Sequence, residues 1–150
     1  MDEVGRGTTV KDGVAIAFGT AHYLYDVHRC RTLFATHFHD VADLFGYDDA
    51  VGRSVEPMYQ AVNFFCTDVD ETQDGYFTYS HKLKRGLNRD SHGIKVAEMA
   101  GIPECALNVA IDVAKSYEAR ETNKEVNGTQ LRDIGRLVAQ NHSKSFGKTT

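Results

Sequence analysis

A chain of 150 residues with 41% hydrophobic residues, 25% charged residues, 13 Gly and 2 Pro has the make-up of one α/β domain, able to bury roughly 70% of its unfolded surface. A net charge of -4 excludes a free-standing nucleic-acid-binding domain with a basic face, though not a motor domain inside a larger protein that grips nucleic acid elsewhere. The 3 cysteines, Cys30, Cys66 and Cys105, are far apart and odd in number, which supports neither a disulfide framework nor a CxxC metal site and suits a reducing compartment. No apolar run is long enough to span a bilayer, so no membrane partner is expected.

The chain opens on Asp2-Glu3-Val4-Gly5-Arg6-Gly7-Thr8-Thr9. A carboxylate at a strand end can hold a magnesium ion directly or through water. A second carboxylate one residue on can polarise an attacking water. Glycines let the backbone approach a ligand or a facing subunit, and Arg and Thr offer donors to phosphate. Only Met1 precedes the acid pair, so the chain is expected to begin in the middle of an active site.

From Lys11 to about Tyr25, Val14, Ala17, Phe18, Ala21 and Leu24 recur at helical spacing, with Asp12 as the expected N-cap. Thr32 to Thr36 is a short, nearly continuous apolar run, as in a strand buried on both faces of a parallel sheet. A helix is expected from Asp40 to about Phe45, completing a strand-turn-helix-strand unit. His37 stands at the carboxyl end of the expected strand, where α/β sheets place ligand-contacting groups. It could meet a terminal phosphate oxygen, or be a satisfied polar residue of a loop.

The segments Met58 to Asp68 and Tyr76 to Leu83 predict an antiparallel hairpin turning at Asp74-Gly75. Lys82 to Arg89 reads as a basic loop, more simply solvated than bound to DNA phosphates. A helix from Gly93 to about Ala100 breaks at Gly101-Ile102-Pro103. A second then starts with Pro103 as its first residue and runs to about Tyr117, with Ala106, Val109, Ala110 and Val113 as its apolar stripe. Residues 118–128 read as a polar linker, 129–140 as an amphipathic helix carrying Leu131, Ile134, Leu137 and Val138, and 141–150 as a disordered tail.

These pieces resemble one family. Asp2 to Thr9 with Asp12-Gly13, then Thr32-Leu33-Phe34-Ala35-Thr36-His37-Phe38, then Asp90-Ser91-His92-Gly93 through Ala100-Gly101-Ile102-Pro103, look like the MutS family of mismatch-repair ATPases, in the family's order. The resemblance covers about Met1 to Tyr117. It implies the C-terminal half of an ABC-type ATPase domain, a partial P-loop NTPase fold of parallel strands with flanking helices, a β-hairpin and C-terminal helices. By that resemblance Asp2 is the Walker B magnesium ligand and Glu3 the general base. Gly5, Arg6, Gly7 and Thr8 match the turn that faces the opposite subunit's nucleotide, and His37 the switch histidine that senses the γ-phosphate. Ser91-His92-Gly93 match a structural and inter-subunit element. The implied cofactors are ATP and Mg2+, and the implied partners mismatched double-stranded DNA and a second subunit, as a homodimer. Asn63 to Glu71 and Asp90 to Gly93 look most like the fungal mitochondrial branch, implying a mitochondrial location, with a nuclear one as the alternative.

The sequence contains no Gly-x-x-x-x-Gly-Lys-Ser/Thr phosphate cradle, and the resemblance therefore implies a fragment without ATPase activity of its own. Exposed apolar surface on the Val14-Phe18-Leu24 helix and the Leu33-Phe34 strand is expected to lower its solubility. Gly147-Lys148-Thr149 mimics the end of such a cradle without its leading glycine. Asp70 to Gly75 lacks the acidic twelfth position of a calcium loop, where His81 stands. Two alternatives remain: a non-enzymatic remnant that dimerises through Gly5-Arg6-Gly7-Thr8 and the last helix, and an unrelated metal-dependent hydrolase using Asp2, His37, His39 and Asp40.

Overall fold

The computed structural model describes residues 1–71, 77–121 and 128–146. The chain forms two compact units, Met1–Asn88 with Asn127–Thr150, and Arg89–Val126.

In the first unit, helix α1 spans Val10–Tyr23. Its N-cap is Thr9, whose hydroxyl accepts the Asp12 N–H at 3.2 Å and donates to the Asp12 carboxylate at 2.8 Å. Asp12, expected as the cap, is thus the third helical residue. The extended backbone of Thr9, with φ -65° and ψ 152°, is what lets its hydroxyl reach back. Gly13, Ala17, Phe18 and His22 form the buried face. A π-turn over Leu24–His28 and a left-handed Arg29 end the helix.

The run expected as a doubly buried strand is instead one parallel bridge, Asp2 to Ala35. Its hydrogen bonds run from the Ala35 N–H to the Met1 carbonyl, 3.0 Å, and from the Glu3 N–H to the Ala35 carbonyl, 2.9 Å. Alternate side chains of an extended segment face opposite ways. Phe34 therefore packs on the core, while Leu33, facing the other way, is 90% exposed.

Helix α2, His39–Leu44, delivers Val41, Leu44 and, just beyond it, Phe45 to the core with Ala17, Phe18, Phe38 and Tyr59. Phe45 meets Phe18 and Tyr59 edge-on, at 5.0 and 4.8 Å between ring centres. Tyr59 is fully buried, and its hydroxyl lies 3.2 Å from Nδ1 of His22. Burial, with the charge of Asp26 and then Tyr25 and Glu56 nearby, pushes its ionisation well above the usual tyrosine range.

Two short strands that the pattern did not suggest, β1 (Tyr47–Asp48) and β2 (Arg53–Ser54), pair antiparallel. Strands β3 (Phe65–Glu71) and β4 (Phe77–Arg85) form the expected hairpin. Its first strand starts later than Met58, since Pro57–Tyr59 forms a 3-10 turn that carries Tyr59 into the core. The expected Asp74-Gly75 turn lies outside the described residues. Lys82, Lys84 and Arg85 belong to β4 rather than to a loop. Lys84 pairs with Asp68 at 2.7 Å, and Arg85 stacks over Phe65. Paired strands among the described residues are antiparallel, and the Asp2–Ala35 bridge is their parallel contact.

Helix α5, Gly128–Phe146, is longer than the 129–140 segment expected, and 147–150 lie outside the described residues. Leu131 and Val138 pack on the core, whereas Ile134 and Leu137 remain 46% and 59% exposed. Gly135 touches α2 so closely that a Cβ there would overlap the Leu44 carbonyl. Arg136 forks onto buried Glu56, with Nη2 to Oε1 at 2.6 Å and Nε to Oε2 at 3.0 Å. Arg132 donates to the Tyr47 carbonyl at 3.2 Å.

The second unit holds α3 (Gly93–Met99) and α4 (Glu104–Glu121). Gly101, at φ 83°, ends α3 in a Schellman turn: its N–H reaches the Glu98 carbonyl, and the Ile102 N–H the Ala97 carbonyl. Pro103 stands just before α4. Of its expected stripe, Val109 and Val113 are exposed, whereas Leu107, outside that stripe, is buried. Helix α4 continues into the expected linker as far as Glu121, and 122–127 lie outside the described residues.

Candidate functional site

The acid pair enters directly from the bridge to Ala35. Glu3 then adopts φ 46°, a left-handed conformation that turns the chain at once. Gly5 and Gly7, at φ 89° and 87°, complete a tight loop that other residues would enter only with strain. The Arg6 N–H reaches the Glu3 carbonyl at 3.1 Å, and the Thr8 hydroxyl the Gly5 carbonyl at 2.7 Å. The loop returns the chain to Thr9, the cap of α1.

Opposite it stands His37, on the elbow between the bridged segment and α2. The Phe38 N–H donates to the Thr36 hydroxyl at 3.1 Å, and the His37 and Phe38 rings lie 4.2 Å apart. His37 Nδ1 comes within 3.4 Å of Glu3 Oε1, and Arg6 Nη1 is paired with Glu3 Oε2. One carboxylate is therefore flanked by an imidazole and a guanidinium. Exposures of 33% for the Glu3 side chain, 54% for His37 and 74% for Arg6 keep these contacts solvent-screened and each worth no more than about 1 kcal/mol.

The structure thus brings Glu3, Arg6 and His37 together and sets Asp2, exposed, beside them. Gly7 and Thr8 are exposed on the outside of the loop. His39 and Asp40 are the first two residues of α2. Among the described residues, no group of three or more His, Cys, Asp or Glu side chains is gathered to hold a metal ion. The metal-dependent hydrolase built on Asp2, His37, His39 and Asp40 is therefore not assembled. Asp2 offers one exposed carboxylate beside that of Glu3. The Arg6–Glu3 pair went unanticipated, although opposite charges three residues apart in a Gly-bracketed turn are a readable signal.

Comparison with known proteins shows the family of this chain. The family described as MutS domain V matches residues 1–118. DNA mismatch repair protein MutS of Clostridium kluyveri is 35% identical over 133 residues, covering 87% of this chain and 14% of that protein. DNA mismatch repair protein MutS of Chlorobaculum tepidum is 36% identical over 126 residues, 84% of this chain and 13% of that protein. The chain spans about one seventh of the length of these relatives. With the match to MutS domain V running from the acid pair through α3 into α4, this chain belongs to the MutS family.

Proposed function

We propose that this chain is the part of a DNA mismatch repair ATPase that supplies the water-activating side of the nucleotide site. The observation that carries the reading is the meeting of Glu3 and His37 across the bridge, beside Asp2 and the Gly5–Thr8 loop. In this reading Asp2 holds magnesium, which supplies charge neutralisation at the phosphates when bound. Glu3 orients and polarises a water. His37 donates to a terminal phosphate oxygen while its contact with Glu3 registers whether that oxygen is there. Gly5, Arg6, Gly7 and Thr8 face the nucleotide of a second subunit, and hydrolysis drives clamp motion on mismatched DNA. The likeness of Asn63 to Glu71 to the fungal mitochondrial branch supports a mitochondrial location, testable by imaging a fluorescent fusion of the parent protein.

Without a Gly-x-x-x-x-Gly-Lys-Ser/Thr run, the chain by itself lacks the backbone amides and lysine that anchor β- and γ-phosphates. Calorimetric titration of the chain with Mg-ATP is expected to show no binding, and micromolar binding would refute the need for that cradle. The decisive test is a chimera in which this chain replaces the matching segment of the Clostridium kluyveri protein. The chimera is expected to hydrolyse ATP. Its Glu3→Gln form should still bind Mg-ATP but lose turnover by about 100-fold or more. Equal turnover in the two forms would sink the reading.

A further inference from the structure

Glu3 and His37 are brought together by two backbone segments, and one flank of their junction is tied by the hydrogen bonds between Met1–Glu3 and Ala35. The other flank is held by shape. A Cβ on Gly5 would lie 2.6 Å from the Gly13 carbonyl oxygen and 2.8 Å from its Cα. A Cβ on Gly13 would lie 2.5 Å from Phe38 Cζ, 2.9 Å from Cε2 and 3.1 Å from the Gly5 carbonyl oxygen. The loop of Glu3, the first turn of α1 and the ring of Phe38 are therefore stacked without room for one methyl group. Phe38 is 8% exposed and belongs to the core cluster, so its ring has nowhere to withdraw. Its neighbour in the chain is His37.

Glycine inside a helix costs about 1 kcal/mol against alanine, and Gly13 sits in α1 where alanine would otherwise serve. Gly19, on the same helix, has nothing within 4 Å of its would-be Cβ. We propose that Gly13 is a positioning residue: seated between the Gly5 loop and the Phe38 ring, it sets the separation of Glu3 and His37. The purpose of that separation rests on the hydrolytic reading above, but its measurement does not, since no nucleotide is involved. Failure of the chimera to hydrolyse ATP would leave the geometry standing, and the reverse also holds.

The test uses the full chain and heteronuclear NMR of the His37 ring at fixed pH, its signals assigned by their disappearance in His37→Gln. The readout is the shift that Glu3→Gln imposes on those signals, measured in several backgrounds. In the parent and in Gly19→Ala that shift is expected in full. In Gly13→Ala it is expected to be lost, because the methyl drives the loop and the ring apart. Phe38→Leu alone should also diminish it, by withdrawing the ring that Gly13 seats. Gly13→Ala with Phe38→Leu, where the shorter side chain makes room for the methyl, should regain it. A full response in Gly13→Ala or in Phe38→Leu overturns the proposal, as does its loss in Gly19→Ala. Should Gly13→Ala alone not fold, Phe38→Leu and the double variant decide. A double variant that folds without the response, or fails to fold, counts against it.

Discussion

Arg136 of α5 grips both oxygens of Glu56, a carboxylate whose side chain is only 4% exposed. The pair joins residues far apart in the chain, and donating these hydrogen bonds to Glu56 holds the Arg136 guanidinium even more firmly protonated than usual. Arg136→Ala leaves a buried carboxylate without its fork of donors, the costly way to break such a pair. The urea midpoint should fall clearly. Arg136→Lys should recover only part of the loss, since an ammonium cannot fork. Arg136→Ala with Glu56→Gln should be more stable than Arg136→Ala alone. An unchanged midpoint in Arg136→Ala would show that the pair contributes nothing.

Glycine-to-alanine changes should have opposite signs on two helices. Gly19→Ala, in the open, is expected to stabilise by about 0.5–1 kcal/mol through helix propensity. Gly135→Ala forces a methyl onto the Leu44 carbonyl and should destabilise by about 1–3 kcal/mol. Equilibrium urea unfolding of both variants checks this, and a stabilising Gly135→Ala would contradict the close approach of α2 and α5.

Tyr59 predicts an alkaline weakness. Its ionisation is raised in the folded state above the unfolded tyrosine value of 10.0. A group raised in this way contributes stability that is full below that value and is lost as pH climbs above it. The thermal midpoint should therefore decline more steeply above about pH 10 in the parent than in Tyr59→Phe. At neutral pH the same variant should cost about 1 kcal/mol, for the lost contact with His22. Parallel midpoint-versus-pH curves would refute the assignment.

Phe45 and Leu33 make a matched pair of truncations. Phe45, 5% exposed and wedged between Phe18 and Tyr59, should cost about 3–5 kcal/mol on replacement by Ala. Leu33→Ala should change stability by less than about 0.5 kcal/mol, although both residues sit in apolar runs of the sequence. A large loss in Leu33→Ala would mean that its run is covered after all.

What could be read in advance follows the range of the forces involved. Helix α1, helix α2 and the β3–β4 hairpin each repeat a local period, and local periods are visible in a linear string. The candidate site was legible for the same reason: Asp2, Glu3 and the Gly5–Thr8 loop are contiguous, and His37 ends an apolar run. The burial of that run was not legible. Alternation places Phe34 inward, but whether anything covers Leu33 depends on the layers around it. The β1–β2 pair and the docking of α5 also escaped, because Arg136–Glu56 and Gly135–Leu44 have no local signature. Nor does spacing reveal that Ile134 and Leu137 face outward while Leu131 and Val138 face in. Apolar periodicity names a stripe, and only the partner surface decides how much of it is used.

The discontinuity of the first unit sets a timetable on the ribosome. Residues 1–88 emerge before the helix that packs on Leu44 and neutralises Glu56. Until Arg136 leaves the exit tunnel, Glu56 has to stay hydrated and the α2 surface open. Nascent chains halted before α5 should therefore remain open to protease and chaperone, and the emergence of α5 becomes the step that closes the core.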